Sequence, residues 1–134
     1  MEEQKHFKLA QRTARRIEPK PKESGLNKLK YLELLYIWHY HPKTKNFKEF
    51  EFPESVTELE INWTNIESLD FLPSLINLRH LEVHRCRNLH QLTDLGSKYP
   101  NLQHFVIDAC GKVKFEEGIK AIANCKYIKH AYVQ

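Results

Sequence analysis

Apolar residues recur along this chain at one spacing. Leu29-Leu32-Leu34, Val56-Leu59-Ile61, Leu78-Leu81-Val83 and Leu102-Phe105-Ile107 each follow L-x-x-L-x-L, and Ile128-Ala131-Val133 follows it loosely. The first positions are separated by 27, 22, 24 and 26 residues. The centre of each motif alternates with a period of two, so it predicts a short strand with positions 4 and 6 facing a core and positions 2, 3, 5, 7 and 8 facing outward. Position 9 falls where the chain turns away from the strand, and there the register places Ile37, Thr64, Cys86 and Cys110.

Between the strands a second apolar set returns: Ile66, Leu69, Phe71, Leu72 and Leu75, then Leu89, Leu92 and Leu95, then Val113, Phe115, Ile119 and Ile122. Its spacing in DFLPSL, TDLGSKYP and EEGIKAIANC is close to helical, which predicts short helices or single turns packed behind the sheet. Asn77, Asn101 and Asn124, with Pro100 and Gly118, punctuate the connections. Residues 38–55 break the pattern and read as an irregular insertion, a hairpin or a loop in preference to the compressed extra strand that Phe47-x-x-Phe50-x-Phe52, which keeps the apolar spacing, would allow. Residues 1–25 read as a basic N-terminal cap or leader, with Glu2–Ile17 a candidate helix, or a segment with a strand at His6–Leu9, ended by Pro19 and Pro21.

VTELEINWTNI, LRHLEVHRCRNL and LQHFVIDACGKV resemble three successive units of the leucine-rich repeat family, and LKYLELLYI resembles a fourth. A period of 22–27 residues lies in that family's range. The resemblance covers residues 26–134 and implies an α/β fold: a short solenoid of four to five repeats, with a curved parallel β-sheet on its concave face and short helices or turns on its convex face. In size the chain is similar to small bacterial proteins of this kind, some of which resemble immunity proteins that bind and neutralise a cognate toxin.

Reading the outward positions across the units assigns columns. Position 3 holds Tyr31, Glu58, His80, His104 and His130; position 5 holds Glu33, Glu60, Glu82, Val106 and Tyr132. Position 7 holds Leu35, Asn62, His84, Asp108 and Gln134, and position 8 holds Tyr36, Trp63, Arg85 and Ala109. Aromatic side chains beside arginine suit a protein-binding face. The candidate contact set is therefore Tyr31, Glu33, Tyr36, Glu60, Asn62, Trp63, His80, Glu82, His84, Arg85, His104, Asp108 and Tyr132. The plain alternative for Trp63 is that it packs against the 38–55 segment.

Two chemical readings compete with this one. His80, His104 and His130 could offer imidazoles to a transition metal, but side chains in a ladder do not converge as tetrahedral zinc requires, and no paired Cys or H-E-x-x-H motif supports them. His84 with Asp108 has the form of a general base and its orienting carboxylate, yet Cys86, the nearest nucleophile, points to the other side of the strand. No glycine-rich phosphate loop is present. The reading expects neither catalytic residues nor a metal or other cofactor.

Charge and cysteine usage refine the picture. Residues 1–30 carry nine Lys or Arg against four acids, a local net of +5, whereas the other 104 residues carry 12 basic and 13 acidic groups. A phosphate-binding face would concentrate positive charge along the sheet, so nucleic acid is not the expected partner of the repeats. Binding to nucleic acid or an anionic surface through the leader remains an alternative, as does an adaptor or assembly-factor role. Three cysteines without a C-x-x-C pair indicate buried reduced thiols and a cytoplasmic setting. No apolar run reaches the ~20 residues that cross a bilayer. The expected partner is one protein, a basic toxin domain in the immunity reading, and the edge of the last strand offers a dimerisation surface.

Overall fold

The structure, a computed structural model, describes residues 29–134. The proposed cap and leader at 1–25 lie outside them. Five strands form one parallel sheet in sequential order: β1 (Leu34–Trp38), β2 (Glu58–Asn62), β3 (His80–His84), β4 (His104–Asp108) and β5 (His130–Val133). Two short helices sit in the later connections, α1 (Leu95–Lys98) and α2 (Phe115–Ile122). TDLGSKYP and EEGIKAIANC thus contain the helices their spacing predicts, whereas DFLPSL forms turns only.

One face of the sheet is buried. Leu35, Ile37, Leu59, Ile61, Leu81, Val83, Phe105 and Ile107 are fully enclosed against Ile66, Leu69, Leu72, Leu75, Leu89, Leu95 and Leu102 from the connections. Phe71, Phe115 and Ile119, expected to line this layer, are exposed instead. The helical face that α2 buries is Gly118, Ala121 and Ile122.

Strand pairing corrects the register of the first unit. Leu35 pairs with Leu59 and Ile37 with Ile61, so the motif begins at Leu32, not Leu29. Leu32, Leu35 and Ile37 are all buried, while Leu34, assigned inward by the sequence, is half-buried on the other face. The same register holds in backbone bonds. Glu33 O accepts the N–H groups of Thr57 and Glu58, just as Thr57 O accepts those of Arg79 and His80, and Gln103 O those of Lys129 and His130. Motif starts are then 32, 56, 78, 102 and 128, separated by 24, 22, 24 and 26 residues. The sequence misread this unit because L-K-Y-L-E-L-L-Y-I satisfies the spacing in both registers, and hydrophobic pattern alone cannot choose.

This correction also removes the insertion. With the motif starting at Leu32, residues 40–55 form a connection of ordinary length, a loop without a hairpin. Trp38 belongs to β1. Tyr40 takes position 9 and anchors a buried aromatic cluster: its ring stacks on Phe47 at 5.3 Å and meets Phe50 edge-on at 5.2 Å, and Phe50 lies 4.6 Å from Phe52. Aromatic bulk does here what leucines do in the other connections.

Polar bridges join successive connections where side chains cannot pack. Ser55 Oγ donates to Leu32 O at 2.6 Å, Asn77 Nδ2 to Glu54 O at 3.4 Å, and Asn101 Nδ2 to Ile76 O at 2.8 Å. All three residues immediately precede a motif start. Lys98 Nζ closes the same side by donating to Leu72 O at 2.8 Å and to Asp70 O.

Candidate functional site

The strands β1 to β4 each end in the same unusual backbone. His39, Trp63, Arg85 and Ala109, all at position 8, adopt φ between 54° and 57°. The left-handed region costs a non-glycine residue roughly 1–2 kcal/mol. Here the turn lets the backbone N–H donate to the next strand: His39 to Asn62 O, Trp63 to His84 O, Arg85 to Asp108 O and Ala109 to Gln134 O, at 2.9–3.1 Å. Position 9 then drops into the core. Thr64 Oγ1 lies 3.2 Å from Cys86 Sγ, Cys86 Sγ donates to His84 O at 3.4 Å, and Cys110 Sγ donates to Asp108 O at 3.5 Å. Hydrogen bonding with Cys86 and burial push the Cys110 thiol up, while Cys86, hydrogen-bonded to Cys110 and Thr64, is held down. Both have no exposed surface, so neither meets a substrate.

The sheet pairing sets the columns of the open face. Leu34, Glu58, His80, His104 and His130 form one; Tyr36, Glu60, Glu82, Val106 and Tyr132 the next; Trp38, Asn62, His84, Asp108 and Gln134 the third. Tyr36 therefore stands beside Glu60 instead of at position 8. Tyr31 and Glu33 are not in these columns: Tyr31 precedes the motif, and Glu33 occupies position 2 beside Thr57. The one-unit register correction accounts for all three displacements, and for Leu35, which is core. The other eleven candidates, Tyr36 included, lie on this face or its rim.

Three columns meet in a network of acids and imidazoles. Glu82 sits at its centre, with Oε2 against His80 Nε2 and Oε1 2.7 Å from His84 Nε2. The other ring nitrogen of His84, Nδ1, lies 3.2 Å from Asp108 Oδ2 on β4. Glu60 Oε1 stands 3.9 Å from His84 Nε2, and Glu60 Oε2 accepts a bond from Asn62 Nδ2 at 3.1 Å. Burial alone would raise the Glu82 carboxyl, but hydrogen bonds from His80 and His84 outweigh it and hold the group below its ordinary range. Burial likewise opposes a charge on His84, and hydrogen bonds to Glu82 and Asp108 outweigh it and raise its pKa. Desolvation and the Glu58, Glu60 and Glu82 charges raise the Tyr36 phenol.

The histidines expected on adjacent strands do form a ladder. His80 and His104 rings lie 5.2 Å apart, His104 and His130 5.1 Å, with the two Nδ1 atoms of the latter pair at 3.1 Å. Desolvation and the neighbouring His80, His130 and Lys129 lower the His104 pKa. The rings run side by side and do not point at a common centre.

At the rim the face becomes aromatic and basic. Trp63 stacks on His39 at 6.3 Å, with Arg85 and Arg87 guanidinium carbons 5.4 and 5.9 Å from its ring centre. The contact with His39 joins it to the following loop, as the plain alternative foresaw, yet its ring stays half-exposed and cation-covered. His39 and Trp38 were not legible as rim residues, because the misplaced first unit put both in the insertion. A cleft of about 320 Å³ lined by Glu54, Leu75, Ile76 and Lys98 lies among the connections and shares no residue with the network.

No family model, curated protein or solved structure matches this chain. Among the described residues no helix is long and apolar enough to cross a membrane.

Proposed function

We propose that this chain is a short leucine-rich-repeat solenoid whose open, concave sheet face binds one protein partner and catalyses no reaction. The observation that carries the reading is the surface running from Trp38 and Trp63 across Glu58, Glu60, Glu82 and Asp108, all half-buried, to the exposed Arg85 and Tyr132 at its margins. Aromatic and arginine anchors beside charged groups are the composition of binding hot spots. The turns that hold the rim are strained after each of β1 to β4, which favours a surface kept rigid before binding.

The carboxylate-rich centre fits a basic partner by electrostatic complementarity. A toxin domain with a basic surface, neutralised by occupation of that surface, is the finer form of this reading, and it rests on the resemblance to small bacterial repeat proteins. A second reading, an adaptor in a larger assembly, is favoured by one separate feature. Among the described residues the outer edge of β5 pairs with no strand, and Tyr127, Tyr132 and Phe115 are exposed near it. Such an edge can accept another strand.

The test uses Trp63→Ala and Glu58→Lys, two changes to the open face that leave the core intact. Each is expected to weaken partner binding about 30-fold or more, the loss of a hot-spot contact, with the thermal transition nearly unchanged. Normal binding by both variants, with loss instead in a variant near the β5 edge and off the open face such as Tyr127→Lys, would favour the adaptor reading.

A further inference from the structure

Three hydrogen-bond acceptors of the network face a single point, and this arrangement demands a positive charge. His84 Nδ1 lies against Asp108 Oδ2, an acceptor, so Nδ1 carries hydrogen. In the neutral ring Nε2 is then a lone pair, yet it faces Glu82 Oε1 at 2.7 Å and Glu60 Oε1 at 3.9 Å. A lone pair and two carboxylate oxygens repel one another unless a cation lies between them. A proton on Nε2 supplies it when His84 is an imidazolium. When the ring is neutral, a metal ion satisfies all three donors at once.

We propose that Glu60, Glu82 and His84 form a binding site for a divalent transition metal of the zinc class. One donor atom from each residue falls within 4.8 Å of the others. Donors bound to zinc at ~2.0–2.2 Å lie ~3–3.5 Å from one another, a spacing bracketed by the 2.7 and 3.9 Å separations here. A small swing of the Glu60 side chain closes the wider gap. Two carboxylates and a neutral imidazole carry two negative charges, which match the ion. The nitrogen donor favours zinc, or another imidazole-preferring ion such as iron or nickel, over calcium, magnesium and manganese, which prefer oxygen.

The second argument is independent of that convergence: every ligand is held from behind. Asp108 on β4 fixes His84 through Nδ1, the carboxylate–histidine–metal arrangement that sets both tautomer and ring orientation. His80 holds Glu82 by its other oxygen, Oε2. Asn62, whose side chain is buried, holds Glu60 by Oε2. In each case the supporting contact uses a different atom from the one that faces the shared point, where Glu82 Oε1 and His84 Nε2 are hydrogen-bonded to each other. Three protein ligands leave at least one coordination position open to water or to a side chain of a partner docked on this face. The site stands whether or not the face binds a protein.

The ladder of His80, His104 and His130 is a competing place for an added ion, and the experiment separates the two. Zinc is titrated into the full untagged chain by calorimetry, with calcium as a second titrant and circular dichroism as a check on folding. The expected result is one zinc per chain and no calcium binding. His84→Ala and Glu60→Gln each remove most of the affinity, Asp108→Asn lowers it about 10–100-fold, and His104→Ala leaves it unchanged. Glu60→Gln is the safeguard should His84→Ala unfold the protein. Unaltered zinc affinity in Glu60→Gln and His84→Ala, loss of binding in His104→Ala, or no zinc binding by the wild-type chain would each overturn the proposal.

Discussion

At the scale of residues, the network between β2, β3 and β4 predicts how stability depends on pH. Glu82 titrates below its ordinary value of 4.5 in the folded chain, so its contribution is present above that value and is lost as pH falls through the lowered one. His84 titrates above 6.5, so its contribution is full below that value and is lost as pH rises through the raised one. Both are present together between about pH 4.5 and 6.5, bounded by those two ordinary values. In buffer with a chelator, the melting temperature should therefore decline from this window toward pH 8, and His84→Gln should flatten the decline. An unchanged alkaline slope in the variant would contradict the network. A second test concerns the turns. Ala109 holds φ of 57° with an exposed side chain, a conformation in which glycine is unstrained. Ala109→Gly is expected to stabilise the fold by roughly 0.5–1 kcal/mol in chemical unfolding. Destabilisation would show that the turn carries no strain.

Elements were legible in the sequence to different degrees. The strands β2 to β5 lie where the L-x-x-L-x-L spacing puts them, and the alternation sorted core from open face along β2, β3 and β4; along β5 it did not, since Ala131, expected inward, is exposed and Val133 is only half-buried. β1 was misplaced by three residues, since Leu29, Leu32, Leu34, Leu35 and Ile37 satisfy two registers and only pairing with Leu59 and Ile61 decides between them. From that one slip came the apparent insertion at 38–55 and the misplacement of Tyr31, Glu33 and Tyr36. The network was half legible. The columns placed Glu60, Glu82, His84 and Asp108 near one another, but periodicity carries no information about rotamers, so the convergence on His84 Nε2 and the support from Asn62 were not foreseeable. Helix packing offers a test at this scale. A Cβ on Gly96 of α1 would lie 2.6 Å from the main-chain oxygen of Asn124. Backbone does not yield as a side-chain end does, so Gly96→Ala should cost about 1–3 kcal/mol despite the higher helix propensity of alanine. A neutral result in urea unfolding would mean that α1 and the Asn124 turn are not in contact.

At the scale of the whole molecule, a sheet with one face sealed by connections has only its other face and its edges to offer. The sealed face is aliphatic and aromatic apart from Thr64 and the cysteines, which are buried. The open face carries the titratable groups, the ring-stacked Trp63 and the four strained turns at its rim. Charge, strain and aromatic surface thus coincide on one side, which is the basis for placing recognition there. The most direct measurement is a binding isotherm between the purified full chain and a partner isolated with it from the native source. Three forms are compared: wild type, Trp63→Ala, and Phe71→Ser on the connection side as a control. The account predicts a single site, affinity reduced about 30-fold or more by Trp63→Ala, and no change with Phe71→Ser. Equal binding by wild type and Trp63→Ala, with affinity lost in Phe71→Ser, would place recognition on the opposite side and contradict it.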